Sequence, residues 1–189
     1  MIKVPIEVSA HHIHLSQKDF ETLFGQNYKV SFIKPLSQKG QYACKKTVDL
    51  KTKNSELNNV RLICPNRKET QVELSKTDAY KLELNPPIRR SGKVAKSEKV
   101  TIVGPKGKIN LNHGVIISAR HIHTSPSAAK KYKLQDGQKV SVKIKGTRSL
   151  TFHQVIIRID PTFVWKFQID TDEANAAGIT GKTTGEVII

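Results

Sequence analysis

Residues 8–16 read VSAHHIHLS, and residues 117–125 read ISARHIHTS. Six of the nine aligned positions are identical (Ser9, Ala10, His12, Ile13, His14 and Ser16), and Val8 against Ile117 is a conservative exchange. A His-x-His pair repeated in one frame marks an internal duplication. The repeat extends outward. After each pair a serine caps a short helix: Ser16 has Asp19 three residues on, and Ser125 is followed by Pro126 at the first helical position. Each helix leads into alternating β sequence, TVDLKTK (47–53) and KVSVKIK (139–145), then VRLIC (60–64) and VIIRI (155–159). Each half closes on a strand-to-helix junction, VELSKTDAYKL (72–82) and FQIDTDEANAAG (167–178). The His pairs are offset by 109 residues and the junctions by 95, a difference that loops absorb.

The halves are joined by PPIRRSGKVAKSEK (86–99), rich in Pro, Gly and charge, and VTIVGPKGKINL (100–111) predicts a hairpin turning at Gly104–Gly107. Short strands, frequent turns and little helix predict a mainly β fold, a pair of small barrels or sandwiches with short capping helices.

The 189 residues suffice for one domain or two small ones sharing a core. Hydrophobic residues at 37% and charged ones at 25% are those of a globular chain. No stretch reaches the ~20 apolar residues that span a bilayer, and MIKVPIEVSA has neither a signal core nor a cleavage site. A cytoplasmic protein is expected, with no membrane partner. Cys44 and Cys64 form no CxxC, which predicts reduced thiols. The net charge of +16 fits three things: a nucleic acid, a Lys-rich solvated surface, or a polyanionic small ligand. The basic residues are scattered, with no RGG run or aromatic RNP-like strand, which argues against nucleic acid.

On a strand, residues i and i+2 share a face, so His12 projects with His14 and His121 with His123. Such a pair grips one edge of Zn²⁺ or another borderline cation. The junctions offer the third donors, Glu73 in the first half and Gln168 in the second. A carboxylate is an apt zinc ligand; an amide is a poor one. Arg67, six residues before Glu73, can face the same cleft and clamp phosphate through its planar fork. Arg89 or Arg90, with Ser91 and Gly92, are candidates for a second oxyanion contact. TGKTT (180–184) lacks the leading glycine of a phosphate loop, since Ala176 stands there.

Taken in order, VSAHHIHLS, PLSQKGQ (35–41), RKETQVE, TDAYKL, IRRSG, VGPKG, the second SARHIH and DTDEANAAG resemble the phosphate propanoyltransferases (PduL-type phosphotransacylases) over essentially the whole chain. The resemblance implies two interleaved β-barrels, one from residues 25–110 and the other from 1–24 with 111–189, and a two-zinc cleft between them. His12, His14 and Glu73 would hold one zinc, and His121 with His123 the other. Arg67 and Ser91 match positions near phosphate, with Gln71 close by. Ser9, Lys34, Arg61, Ile63 and Asn175 match positions that contact coenzyme A. A homodimer is implied. Two positions depart from the pattern: the family has His at 168 and Arg at 11. Its microcompartment members also carry an N-terminal extension that this chain is not expected to have.

The expected reaction is direct transfer between acyl-CoA and phosphate, with a propanoyl or acetyl group. Three alternatives stay open at this point: a dinuclear metallohydrolase, a degenerate homologue that binds coenzyme A, and a basic nucleic-acid-binding module.

Overall fold

A computed structural model describes residues 1–189. The first half runs β1 (Ile2–Ser9), β2 (His12–His14), α1 (Gln17–Phe24), β3 (Phe32–Pro35), β4 (Tyr42–Lys51), β5 (Glu56–Cys64), β6 (Gln71–Glu73), α2 (Lys76–Lys81), β7 (Ile88–Arg89) and β8 (Glu98–Val103). The second runs β9 (Lys108–Ser118), β10 (His121–Thr124), α3 (Pro126–Tyr132), β11 (Lys139–Ile144), β12 (Leu150–Ile159), β13 (Lys166–Asp170), α4 (Thr171–Ala176) and β14 (Thr184–Ile188). No helix is long and apolar enough to cross a membrane.

Each short helix follows a capped strand end. Ser16, Ser75 and Ser125 accept from the backbone N–H of Asp19, Asp78 and Ala128. Asp170 and Glu173 form a reciprocal capping box. Such caps contribute about 1 kcal/mol each, which matters for helices this short.

Two closed barrels result. In one, β1, β13, β10, β12, β11 and β14 form a ring. In the other, β9, β6, β2, β5, β4 and β8 do the same. Around both rings the pairings run parallel, antiparallel, parallel, then antiparallel three times. The duplication read from the His pairs is therefore a duplication of topology. Closing the sheet also removes the exposed edges that an open one would present.

The chain divides into a terminal unit, Met1–Ser9, Ser37–Lys39 and Ala119–Ile189, and a central unit, Ala10–Leu36 and Gly40–Ser118. This differs from the boundaries 25–110 against 1–24 with 111–189. Residues 10–24 join the central unit because β2 is hydrogen-bonded between β5 and β6. Residues 111–118 stay there because β9 pairs with β6 and β8. The strand preceding each His pair thus completes the other repeat's ring: β1 leads to β2 yet closes on β13 and β14.

The terminal core holds Val4, Ile122, Val142, Ile157, Phe167 and Ile169, with neighbours. The central core holds Ile13, Leu15, Leu50, Leu62, Val72 and Ile102 among others. Strand alternation then sends His12, His14 and Glu73, and likewise His121, His123 and Gln168, to the outer face of their own barrel. The VGPKG segment is the predicted hairpin turn, with Gly104 N–H donating to Gly107 O at 2.8 Å. It lies under the end of α1, where a Cβ on Gly104 would meet Leu23 at 2.7 Å.

Candidate metal and anion site

In the central unit β2 and β6 pair antiparallel, with His12 opposite Glu73 and His14 opposite Gln71. One donor atom from each of His12, His14 and Glu73 falls within a 4.8 Å group. His12 Nε2 lies 3.7 Å from Glu73 Oε2. His12 Nδ1–H donates to Ala10 O at 2.9 Å, which fixes the tautomer and leaves Nε2 as a lone-pair donor. Burial, then the charges of Arg67 and His12, pushes the His14 imidazole well below its ordinary pKa, against an opposing pull from Glu73. His14 is thus neutral and ready to ligate. Burial pushes the Glu73 carboxyl up, but His12, His14, the Ser91 hydrogen bond and Arg67 together outweigh it and hold the pKa at about 2. Two imidazoles and one carboxylate within reach of one point make a donor set that fits zinc.

The outer contacts are as well defined. Glu73 Oε1 accepts from Gln71 Nε2 at 2.6 Å and from Ser91 Oγ at 2.8 Å, so Oε2 is the oxygen facing His12. Ser91 Oγ accepts in turn from Arg67 Nη1 at 3.2 Å and from Gln71 Nε2 at 2.9 Å. Gln71 Oε1 takes the Gly92 N–H at 2.7 Å. Arg67 is anchored through its backbone N–H to Leu15 O at 2.8 Å. Burial lowers its pKa and Glu73 raises it, and an arginine remains a cation at neutral pH. The fold thus fastens a guanidinium beside the His-His-Glu group. Gln71 is a larger part of this network than its sequence position suggested.

In the terminal unit β10 and β13 repeat the register, with His121 opposite Gln168. His121 Nδ1–H donates to Ala119 O at 2.8 Å, as His12 does to Ala10 O. His121 Nε2 therefore accepts, and it lies 3.0 Å from His123 Nε2. His123 supplies the shared proton, and a cation bound to both rings would replace it. Phe163 stacks on His123 with ring centroids 3.8 Å apart. Gln168 turns its Nε2 to the Glu7 carboxylate at 2.6 Å. Glu7 escaped the sequence reading, although its counterpart in the repeat, Ile116, is apolar. A lone acid in the strand PIEVS was the available signal.

The departure at position 11 has a partner. His11 Nδ1 lies 3.0 Å from Asp78 Oδ2, in the register where the second repeat pairs Arg120 with Glu173 at 2.7 Å. Of the residues expected near coenzyme A, Lys34 on β3 and Ile63 on β5 flank Ala43 of β4 from either side in the central unit. Arg61 sits opposite His12 and donates to Cys44 O and Lys45 O at 3.0 and 2.9 Å. Ser9 and Asn175 belong to the terminal unit, at the end of β1 and in α4.

The phosphate propanoyltransferase family model matches residues 5–180. A phosphate propanoyltransferase of Thermotoga maritima is 44% identical over 184 residues, covering 97% of this chain and 86% of its own. One of Lachnoclostridium phytofermentans is 48% identical over 178 residues, covering 94% and 83%. One of Enterococcus faecalis is 40% identical over 183 residues, covering 97% and 87%. The chain belongs to the phosphate propanoyltransferase family and is an acyltransferase.

Proposed function

We propose that this protein interconverts acyl-CoA plus phosphate with acyl phosphate plus coenzyme A, on propanoyl or acetyl groups, by direct metal-assisted transfer. The observation that carries this reading is a fixed arginine fastened through Ser91 to a His-His-Glu donor set. His12, His14 and Glu73 would hold one zinc, and His121, His123 and Gln168 a second. A bound divalent cation supplies Lewis acidity for the thioester carbonyl and the departing thiolate.

The protein's own residues do the rest. Arg67 presents two N–H groups in a planar fork, binds phosphate and sets the line of its approach. Ser91 and Gln71 hold Arg67 and Glu73 in register. A phosphate oxygen forms the new C–O bond at the acyl carbon as the C–S bond breaks, and coenzyme A leaves as thiolate. No acylated side chain is needed. Cys44 and Cys64, the strongest nucleophiles available, are buried in the central core, and the Cys64 hydrogen bond together with burial raises the Cys44 thiol far above its ordinary pKa. Lys34, Arg61, Ile63, Ser9 and Asn175 are the residues assigned to coenzyme A, and the working form is a cytoplasmic homodimer.

The test is release of free thiol from propionyl- and acetyl-CoA, with and without phosphate. Strict phosphate dependence is expected; equal release without phosphate would make the protein a thioester hydrolase. Arg67→Lys keeps the charge and loses the fork. It should raise the KM for phosphate about tenfold or more, the value of a charge-assisted hydrogen bond, while leaving the KM for acyl-CoA unchanged. Wild-type kinetics in Arg67→Ala would reduce Arg67 to a turn residue.

A further inference from the structure

An amide is a weak zinc ligand, and two neutral imidazoles leave a divalent charge without an anion nearby. The second His pair looks deficient on both counts. In the first repeat the carboxylate stands at Glu73 and the next strand carries Ile116. In the second the amide stands at Gln168, and the next strand carries Glu7. The negative charge is not lost; it has moved one strand further from the histidines.

We infer that Glu7 makes Gln168 a competent third ligand for the second divalent cation, acting as a positioning residue through the amide. This rests on the metal-binding reading above. Residues Glu7, Gln168 and His121 stand in lateral register on three neighbouring strands, so their side chains leave the same face of the terminal barrel. A carboxylate only accepts hydrogen bonds. The Gln168 group facing Glu7 must therefore be the amide nitrogen, and the 2.6 Å contact is Nε2–H donating to Oε2. That orientation commits the nitrogen and leaves Oε1 as the amide's only available donor atom. Ser37 donates its hydroxyl to the same Glu7 oxygen, so the carboxylate is itself held.

Two consequences follow for Gln168. Its nitrogen is held by Glu7, so the oxygen is the atom left free to ligate a cation. Electron density is also pushed from the N–H side of the amide to its oxygen, as a carboxylate does when it accepts the outer N–H of a ligating histidine. The missing negative charge is thus supplied from one residue further out.

The experiment is competition with a graded chelator on untagged, zinc- or cobalt-loaded protein, with metal content measured at each step. Cobalt absorption reports the ligand set. In wild type two metals per chain are expected. Glu7→Gln, which has nearly the same shape, should loosen the second metal by ~10–100-fold, the usual cost of an outer partner, and leave the first unchanged. Glu7→Gln with Gln168→Glu returns the carboxylate to the register of Glu73 and should restore the second metal. An unchanged melting temperature and an altered cobalt absorption in Glu7→Gln alone separate loss of the ligand from a merely structural role.

Equal retention in wild type and Glu7→Gln overturns the inference, as does a wild type holding a single metal that is lost only with His12→Ala. Both results leave the first site and the acyl transfer at it standing. A wild type that binds no metal would remove the metal reading itself. Failure of the double variant to recover, with its melting temperature unchanged, also counts against the inference.

Discussion

The two repeats share strand pairings, register and the backbone carbonyls that set the tautomer of the leading histidine, at Ala10 and Ala119. They differ in what surrounds the histidines. Glu73 corresponds to Gln168, Gln71 to Lys166 and Ile116 to Glu7 when the repeats are aligned. The guanidinium–Ser91–Gln71 network exists on the first side, while the residue at the position of Arg67, offset by 95, is Thr162. Duplicated backbone geometry has been kept and the charges around it redistributed, so that one copy combines a His-His-Glu group with a guanidinium held beside it. The lesson is that a repeat preserves ligand directions more faithfully than ligand identity.

The sharpest way to break this comparison is to exchange the third donors. Glu73→Gln gives the first repeat the amide of the second without any carboxylate beside it, since Ile116 occupies that place. The first metal should be lost, and thiol release should fall by more than ~100-fold, beyond the effect of an outer partner. Gln168→His or Gln168→Glu runs the other way and should tighten the second metal about tenfold or more. Metal content after chelation, measured beside turnover, reads both. Parity of the two variants would mean that the copies are functionally equivalent.

A smaller effect appears with pH in the metal-free protein. Burial holds the folded His14 below its ordinary 6.5, while the unfolded chain takes up that proton as pH falls through ~6.5. The stabilising difference is fully present above that pH. It is lost below it, at about 1.4 kcal/mol per pH unit at most. Glu73, depressed to about 2, acts in the separate range below its ordinary 4.5. Urea unfolding at pH 7 and pH 5.5 should show the loss, and His14→Gln should flatten it. The smallest change concerns the residue before each His pair. His11→Arg copies the Arg120–Glu173 pair onto Asp78 and should raise stability by no more than ~1 kcal/mol, since the pair is partly exposed. Urea midpoints of His11→Arg and Arg120→His should move in opposite directions.

Much of this was legible from period and repetition. The His pairs, the caps at Ser16 and Ser125 and the 73–168 alignment all depend on local spacing, and the pairings His12–Glu73 and His121–Gln168 show the two junctions in equivalent register. The division of the chain was less legible. A strand's sequence states that it pairs, and a sandwich or barrel of either repeat would satisfy β1; only hydrogen bonding to β13 and β14 assigns it. Glu7 and the Ser91 hydroxyl were harder still, because their meaning comes from partners 161 and 18 residues away.

The exchange of β1 and β9 has an ancestral consequence. A single repeat, taken alone, holds the leading strand of a barrel other than its own, and its remaining five strands cannot close a ring. Two separate copies could each complete the other by trading that strand, as domain-swapped dimers do. Joining two such copies in one chain would turn an encounter between molecules into an intramolecular closure, with the partner strand always at high effective concentration. Once that closure no longer depends on identical halves, each copy is free to change its charges, and the carboxylate that stands at Glu73 in one repeat could move to Glu7 beside the other.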